Sequence, residues 1–171
     1  MLSAIVRVIH KASDAGMVLA CLLLVLAVAH VLIEIVARDL FRTSTHMLDE
    51  MIGYAVCGIT FFSLAYCVRE GAMVRVNMLT RMAGSTGRRR IEIATATAAS
   101  LTTGLLTYYS SLSVIRNLER GAKSETIAAV PLWIPEGFML IGLTLLTLEL
   151  AVYIVELTLG RIEVKSDSVG A

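Results

Sequence analysis

The chain has 171 residues, of which 57% are hydrophobic and 17% are charged, and its mean hydropathy is +0.78. A soluble domain of this size carries more charge, so the composition predicts an integral membrane protein. The formal net charge of +1 does not supply the coherent basic face that a nucleic-acid partner requires. The cysteines lie within apolar runs without a C-x-x-C pair, a pattern that predicts neither a disulfide framework nor a metal site.

Four apolar segments predict four membrane-spanning helices, at about residues 15–37, 51–68, 91–117 and 136–159. The second segment is uncharged over roughly 18 residues, which is about the minimum length of a membrane-spanning helix. The predicted fold class is therefore all-α, a single membrane domain over residues 1–171 built as a bundle of four transmembrane helices.

The segments outside these spans have their own predictions. Residues 1–14 carry apolar side chains at helical spacing and are expected to form a helix along the inner membrane surface. Residues 69–90 connect the second and third spans on the cytoplasmic side, with a further surface helix expected within them. Residues 162–171 are expected to be a disordered tail.

Basic residues are distributed unequally between the two sides of the predicted spans. Of the 15 Lys and Arg residues, about two thirds fall on the side of the 69–90 connection and the two termini. Short loops rich in arginine remain in the cytoplasm. Both termini are therefore predicted to be cytoplasmic, with residues 38–50 and 116–135 forming the outer loops.

Glu149 lies near the middle of the fourth predicted span, where ionising an acid is costly. Three interpretations stay open: a structural hydrogen bond to another helix, a contact to a partner subunit, and an ion or proton relay. For the first, hydroxyl groups of the third span lie at a compatible depth, on Ser100, Thr102 and Thr103.

Small residues mark two candidate helix-packing surfaces. Gly53, Cys57 and Gly58 form a strip on the second span, and Ala96 and Ser100 belong to a run of small residues on the third. In lipid, such residues indicate close packing against another helix of the chain or of a partner.

Further polar and aromatic residues are placed by their spacing. Glu34 and Arg38, four residues apart, predict an ion pair on one helical face. Tyr108 and Tyr109 are predicted to lie at the outer membrane interface, as is Trp133.

We find no catalytic triad, phosphate-binding loop, HExxH motif or catalytic carboxylate pair in the sequence. His10, His30 and His46 are predicted at different depths, so they do not converge on one metal ion. We therefore expect no enzymatic activity, no cofactor and no metal site.

Several short motifs together resemble a known family. They are Arg38-x-x-Phe41, Asp49-Glu50-x-x-x-Tyr54, Arg69-Glu70-Gly71, and Pro131-Leu132-Trp133 ahead of Gly137. This pattern is similar to the small, DctQ-like membrane subunit of TRAP (tripartite ATP-independent periplasmic) transporters. Met73 and Asn77 stand where that family often has a histidine and an acid, so these two positions do not carry the family's roles.

The resemblance implies a large multi-span permease partner in the bacterial inner membrane, which holds the substrate and sodium sites. It also implies a periplasmic solute-binding protein that delivers an organic acid. This chain would then be a non-catalytic scaffold with part of the docking surface. The residues expected to dock the periplasmic partner are Arg42, His46, Arg116, Arg120, Lys123 and Glu125.

Two other functions stay open at this point. A haem- or quinone-binding anchor of a redox complex would need two histidines on facing helices, and only His30 lies inside a predicted span. A small four-helix exporter acting as a homodimer would need an essential intramembrane acid, for which Glu149 and Glu34 are the candidates.

Overall fold

The computed structural model describes residues 2–41, 48–71, 85–125 and 129–159. They form four helices, which are α1 (Leu2–Phe41), α2 (Leu48–Arg69), α3 (Ser85–Arg120) and α4 (Trp133–Thr158). Within these ranges the β pairing is limited to an isolated bridge between Lys123 and Pro131. The predicted all-α fold class with four helices is confirmed.

Within the described ranges, three helices are long and apolar enough to cross a membrane, over Val6–Leu40 in α1, Leu48–Arg69 in α2 and Trp133–Thr158 in α4. Among the described helices α3 is not one of them, because threonine, serine and arginine make up much of its sequence. It nevertheless lies along α4 over most of its length, since Arg89 contacts the last turn of α4 and Asn117 contacts the first. Therefore α3 extends through the same layer as α4.

The first helix differs from its prediction. We expected a separate surface helix at residues 1–14, and this is wrong, because α1 continues without interruption over 40 residues. Its length is about 60 Å, about twice the hydrocarbon thickness, so α1 either crosses the membrane at a tilt or projects beyond it. The surface helix expected within residues 69–90 and the tail at 162–171 fall largely or wholly outside the described residues.

Consecutive helices run in opposite directions, so the bundle has two ends. We call the base the end at which α1 and α3 begin and α2 and α4 end, and the top the opposite end. Among the described helices α4 is central and contacts the other three, α1 packs mainly on α2, and α3 contacts α4 alone. The predicted orientation would place the base in the cytoplasm.

Two glycines let the neighbouring helices approach α2 closely. A Cβ atom at Gly142 of α4 would lie 2.5 Å from the backbone oxygen of Phe61, and one at Gly16 of α1 would lie 3.0 Å from that of Phe62. A larger side chain at Gly142 would therefore push the two backbones apart. A small apolar core lies beside this contact and consists of Val68, Leu146 and Leu150.

Candidate functional site

Glu149 is 2% exposed and lies where α4 meets the beginning of α1. Ser13 Oγ donates a hydrogen bond to Glu149 Oε1 at 2.5 Å, and His10 Nδ1 lies 3.2 Å from the same oxygen. His10 and Ser13 both reach this oxygen because residues three apart share one face of a helix. The buried acid is thus hydrogen-bonded to polar groups of this chain, as a buried polar group requires.

Arg69, the last residue of α2, connects this site to the third helix involved. Its guanidinium donates a hydrogen bond to the backbone oxygen of His10 at 2.9 Å and another to the carboxylate of Asp14. It also pairs with Glu70 at 3.3 Å and lies 5.0 Å from the centre of the Tyr66 ring. We call the base cluster the set that joins α1, α2 and α4 here: His10, Ser13, Asp14, Arg69 and Glu149.

The partners of Glu149 come from α1, whereas the sequence suggested hydroxyl groups of the third span. In the structure Thr102 and Thr103 donate their hydroxyl hydrogens to backbone oxygens of α3 itself. The depth also differs, because Glu149 lies level with Arg69, where α2 ends, and not in the middle of the surrounding helices. Of the three interpretations of Glu149, these contacts favour the structural hydrogen bond.

A second set of polar contacts joins α3 to α4 at the base. Arg89 donates hydrogen bonds to the backbone oxygens of Leu157 at 2.7 Å and Thr158 at 2.9 Å. The last carbonyl groups of a helix have no partner within the helix, so the guanidinium caps the end of α4. One turn further along, Tyr153 donates its hydroxyl hydrogen to Glu92 at 2.8 Å.

At the top, α3 and α4 are joined again and a short loop closes over them. Asn117 Nδ2 donates a hydrogen bond to Glu136 Oε1 at 2.7 Å. The loop returns as a hairpin, because Ser124 N bonds to the oxygen of Val130 at 2.9 Å. Gly121 begins the turn with φ at 59°, a conformation that glycine adopts without steric cost.

The predicted docking residues that are described all lie at this top end and are exposed: Arg116, Arg120, Lys123 and Glu125. Arg116 and Arg120 occupy the last turns of α3, and Lys123 and Glu125 occupy the hairpin. Arg42 and His46 lie outside the described residues. The structure therefore brings four of the six residues to one end of the bundle, while their role stays a prediction.

The predicted packing strip on α2 divides into different environments. Gly53 is exposed, and no atom lies within 4 Å of a Cβ built there. Cys57 Sγ lies 3.9 Å from the backbone oxygen of Pro135. Gly58 is buried, and a Cβ there would lie 2.8 Å from Leu23 Cδ1. Among the described residues, the contacts of this strip with neighbouring helices are made by Cys57 and Gly58, in its second half.

On α3, the predicted packing residues face α4, which is the neighbour of α3 among the described helices. Ala96 is buried and Ser100 is half-buried. Both lie on the side of α3 that also carries Thr107, whose Oγ1 is 3.4 Å from Thr147 Oγ1 of α4. Packing at Ala96 is therefore satisfied within this chain, whereas the opposite side of the small-residue run is exposed.

Four of the motif residues, namely Arg38, Glu50, Tyr54 and Arg69, have polar partners. Arg38 lies 3.6 Å from Glu34, in the ion pair that the spacing predicts. Tyr54 donates its hydroxyl hydrogen to Glu50, one turn earlier on α2. Arg69 belongs to the base cluster.

The remaining motif residues lie at or near helix ends. Phe41 is the last residue of α1, and Asp49 is exposed in the first turn of α2. Gly71 follows α2 and has a φ of 68°. Pro131 precedes α4 and Trp133 begins it, and a Cβ built at Gly137 would meet open space. Met73 and Asn77 lie outside the described residues.

The two described histidines, His10 and His30, both belong to α1, so they do not face each other from different helices as a bis-histidine haem site requires. His30 Nε2 is buried and has no hydrogen-bond partner among the described residues. Residues 2–41, 48–71, 85–125 and 129–159 contain no group of three His, Cys, Asp or Glu side chains that could hold a metal ion. His46 lies outside these ranges.

Several span-length apolar helices, joined by polar contacts at their ends, define this chain as an integral membrane protein. A sequence profile described as "Tripartite ATP-independent periplasmic transporters, DctQ component" matches residues 27–160. The chain therefore belongs to the DctQ family, whose members are components of these transporters, and the resemblance is confirmed. No curated protein and no solved structure matches the chain. The matched region includes all of α2, α3 and α4, whereas His10, Ser13 and Asp14 precede it.

Proposed function

We propose that this chain is the small membrane subunit of a TRAP-type secondary transporter for organic acids. In this role it braces the large permease subunit and helps to dock the periplasmic solute-binding protein. The proposal rests on the family match across residues 27–160. Substrate and sodium sites are assigned to the large subunit, and the chain is placed in the bacterial inner membrane with its base in the cytoplasm.

The distribution of polar contacts supports a bracing role. The buried acid Glu149 is bonded to Ser13 and His10, so its hydrogen-bond partners lie within this chain. The discontinuous helices that form substrate sites in transporters of other folds have no counterpart in α1, α2, α3 or α4, which are each continuous. A brace needs rigid helices joined to one another, and the base cluster provides such a junction.

The exposed top end supports a docking role. Arg116, Arg120 and Lys123 are exposed there with the acid Glu125, and the hairpin that carries Lys123 is held by backbone hydrogen bonds. Charges at the rim of an interface speed association and set its orientation more than they add affinity. We therefore expect these residues to affect the rate of partner binding and its dependence on salt.

The test is reconstitution with and without this chain. A tagged copy should purify together with a much larger apolar protein. Proteoliposomes that hold both, supplied with the solute-binding protein and a sodium gradient, should take up an organic acid. Uptake should be lost when this chain is omitted. Uptake by this chain alone, or chemical labelling of its termini from the periplasm, would contradict the proposal.

A charge-reversal variant separates docking from bracing. Arg120→Glu with Lys123→Glu should still purify with the large protein but should take up substrate more slowly at limiting solute-binding protein. The matched control is Arg90→Glu, an exposed arginine at the base of α3, which should leave that rate unchanged.

A further inference from the structure

The hairpin between α3 and α4 carries two of the exposed charges that we assign to docking. Within it, Ser124 N donates a hydrogen bond to the backbone oxygen of Val130 at 2.9 Å. Lys123 and Glu125 are exposed, whereas Ala122 and Ser124 are half-buried. This alternation is expected, because successive side chains of an extended strand point to opposite sides. The direction in which Ser124 points therefore determines where the two charges point.

Ser124 points towards α2, where it meets a motif residue that the proposed function does not yet use. Tyr54 donates its hydroxyl hydrogen to Glu50, and its hydroxyl group is also hydrogen-bonded to the side chain of Ser124. Since the one hydroxyl hydrogen of Tyr54 goes to Glu50, Ser124 is the donor in the second bond. The three side chains thus form a chain of hydrogen bonds that ends on an acid, and the bonds of such a chain strengthen one another.

This connection adds to what the packing of the helices provides. Among the described helices α2 packs on α1 and α4 but not on α3, so the attachment of the hairpin to α3 does not fix it against α2. One turn from Tyr54 towards the base, Cys57 Sγ lies 3.9 Å from the backbone oxygen of Pro135. This part of α2 therefore lies beside the first turn of α4, at the level where the hairpin returns, and supports the hairpin from the side.

We propose that Tyr54 positions the hairpin for docking: through Ser124 it holds Lys123 and Glu125 in the direction from which the periplasmic solute-binding protein approaches. This inference rests on the proposed function. Tyr54 is a positioning residue, because it acts through Ser124 and supplies no charge to the partner. A hairpin that is fixed in advance loses less conformational freedom on binding, which raises the affinity without a new contact.

The first experiment measures the hairpin itself, in the full chain in lipid nanodiscs. Tyr54→Phe keeps the ring and removes the hydroxyl group. The amide hydrogens of Ser124 and Leu132, which both donate within the hairpin, should exchange about fivefold faster, the factor that corresponds to one hydrogen bond of about 1 kcal/mol. Ser124→Ala should give the same change at Leu132, and the double variant should add nothing further, because both changes remove the same bond. The matched control is Tyr66→Phe, which removes a tyrosine hydroxyl from α2 near the base and should leave both rates unchanged.

The second experiment measures docking in proteoliposomes that hold both membrane subunits. Tyr54→Phe should raise the concentration of solute-binding protein that gives half-maximal uptake by about fivefold. The uptake rate at saturating solute-binding protein, the amount of large subunit that co-purifies and the thermal midpoint should equal those of the wild type. A residue that only stabilises the bundle would instead lower the saturating rate, the co-purified amount or the midpoint, and that result would overturn the proposal.

The two experiments together separate this inference from the proposed function. Unchanged hydrogen exchange in Tyr54→Phe would overturn the inference, as would faster exchange with an unchanged half-maximal concentration, because the hairpin would then not be what the partner meets. In either case the proposed function stands if uptake by the wild type depends on the solute-binding protein. If uptake by the wild type does not depend on that protein at all, the proposed function fails and this inference fails with it.

Discussion

The helices α3 and α4 lie side by side through the same layer, yet their surroundings differ. Among the described helices α4 contacts all three others, and it buries residues from Pro135 to Leu157. By contrast, α3 contacts α4 alone and leaves most of its residues exposed or half-buried. The more apolar helix is thus the enclosed one, and the helix richer in hydroxyl groups is the uncovered one.

This difference has a physical meaning that it would not have in a soluble protein. In water, the more polar helix would be expected at the surface. Within a membrane, small residues along a helix favour close packing against another helix over contact with lipid. Buried residues in this chain are therefore those whose packing partners belong to the chain itself. More of them lie on α4 than on any other described helix.

The largest expected effect comes from the close contact between α4 and α2. Gly142→Ala would place a Cβ 2.5 Å from the backbone oxygen of Phe61, and a backbone atom cannot move aside without shifting its helix. Overpacking of this kind should destabilise the bundle by about 3 kcal/mol. Reversible unfolding in mixed micelles, followed by circular dichroism, measures this loss.

Gly53→Ala is the matched control on α2. A Cβ there meets no atom within 4 Å, so the variant should be as stable as the wild type or more stable by up to about 1 kcal/mol, from helix propensity alone. Equal stability of Gly142→Ala and wild type would show that the two helices do not approach as closely as the structure has them.

The next largest effect is expected in the base cluster, where α4 meets α1. Glu149→Leu leaves the buried hydroxyl of Ser13 without its acceptor and should cost about 2 kcal/mol. Ser13→Ala should cost less, and the double variant should cost less than the sum, because both changes remove the same hydrogen bond. Glu149→Gln keeps an acceptor for Ser13 and should retain transport. Loss of sodium-coupled uptake in an assembled Glu149→Gln complex would favour the relay interpretation instead.

The sequence was sufficient to predict the all-α fold, two of the helices closely, and the family. Uncharged apolar segments limited by charged residues predict α2 and α4 to within a few residues, because the membrane restricts both the length and the composition of a span. The ion pair between Glu34 and Arg38 was also predictable, since four residues on a helix place two side chains together regardless of the remaining fold.

Contacts between helices could not be predicted in the same way. The partners of Glu149 lie 136 and 139 residues away on α1, and no periodicity specifies which helix lies opposite. The prediction from small residues identified Gly58 and Ala96, which are buried. It also selected Gly53, where a built Cβ would meet no atom of the described residues within 4 Å. It omitted Gly142, which lies within a run of bulky side chains. A usable signal for the base cluster did exist, because His10 and Ser13 place two polar groups on one face at the start of an apolar helix.

A smaller effect is expected where α3 caps the end of α4. Arg89→Ala removes the donors that reach the backbone oxygens of Leu157 and Thr158, and it should cost about 1 kcal/mol because the site is partly open to solvent. Arg90→Ala removes a neighbouring exposed arginine without those contacts and should be close to neutral. Faster amide hydrogen exchange over the last turn of α4 in the Arg89 variant alone would confirm the cap. Similar exchange in both variants would contradict it.

The smallest effect on stability is expected at Gly58. This variant tests whether the loss of stability from a close contact depends on the kind of atom that is met as well as on the distance. A Cβ at Gly58 would lie 2.8 Å from Leu23 Cδ1, nearly as close as the contact at Gly142. That atom, however, is the end of a flexible side chain on α1, which can rotate into space beside the helix. The gain in helix propensity offsets the displacement, so Gly58→Ala should change the free energy of unfolding by less than about 0.5 kcal/mol. A loss as large as that of Gly142→Ala, measured in the same micelles, would mean that α1 is fixed against α2 as rigidly as α4 is.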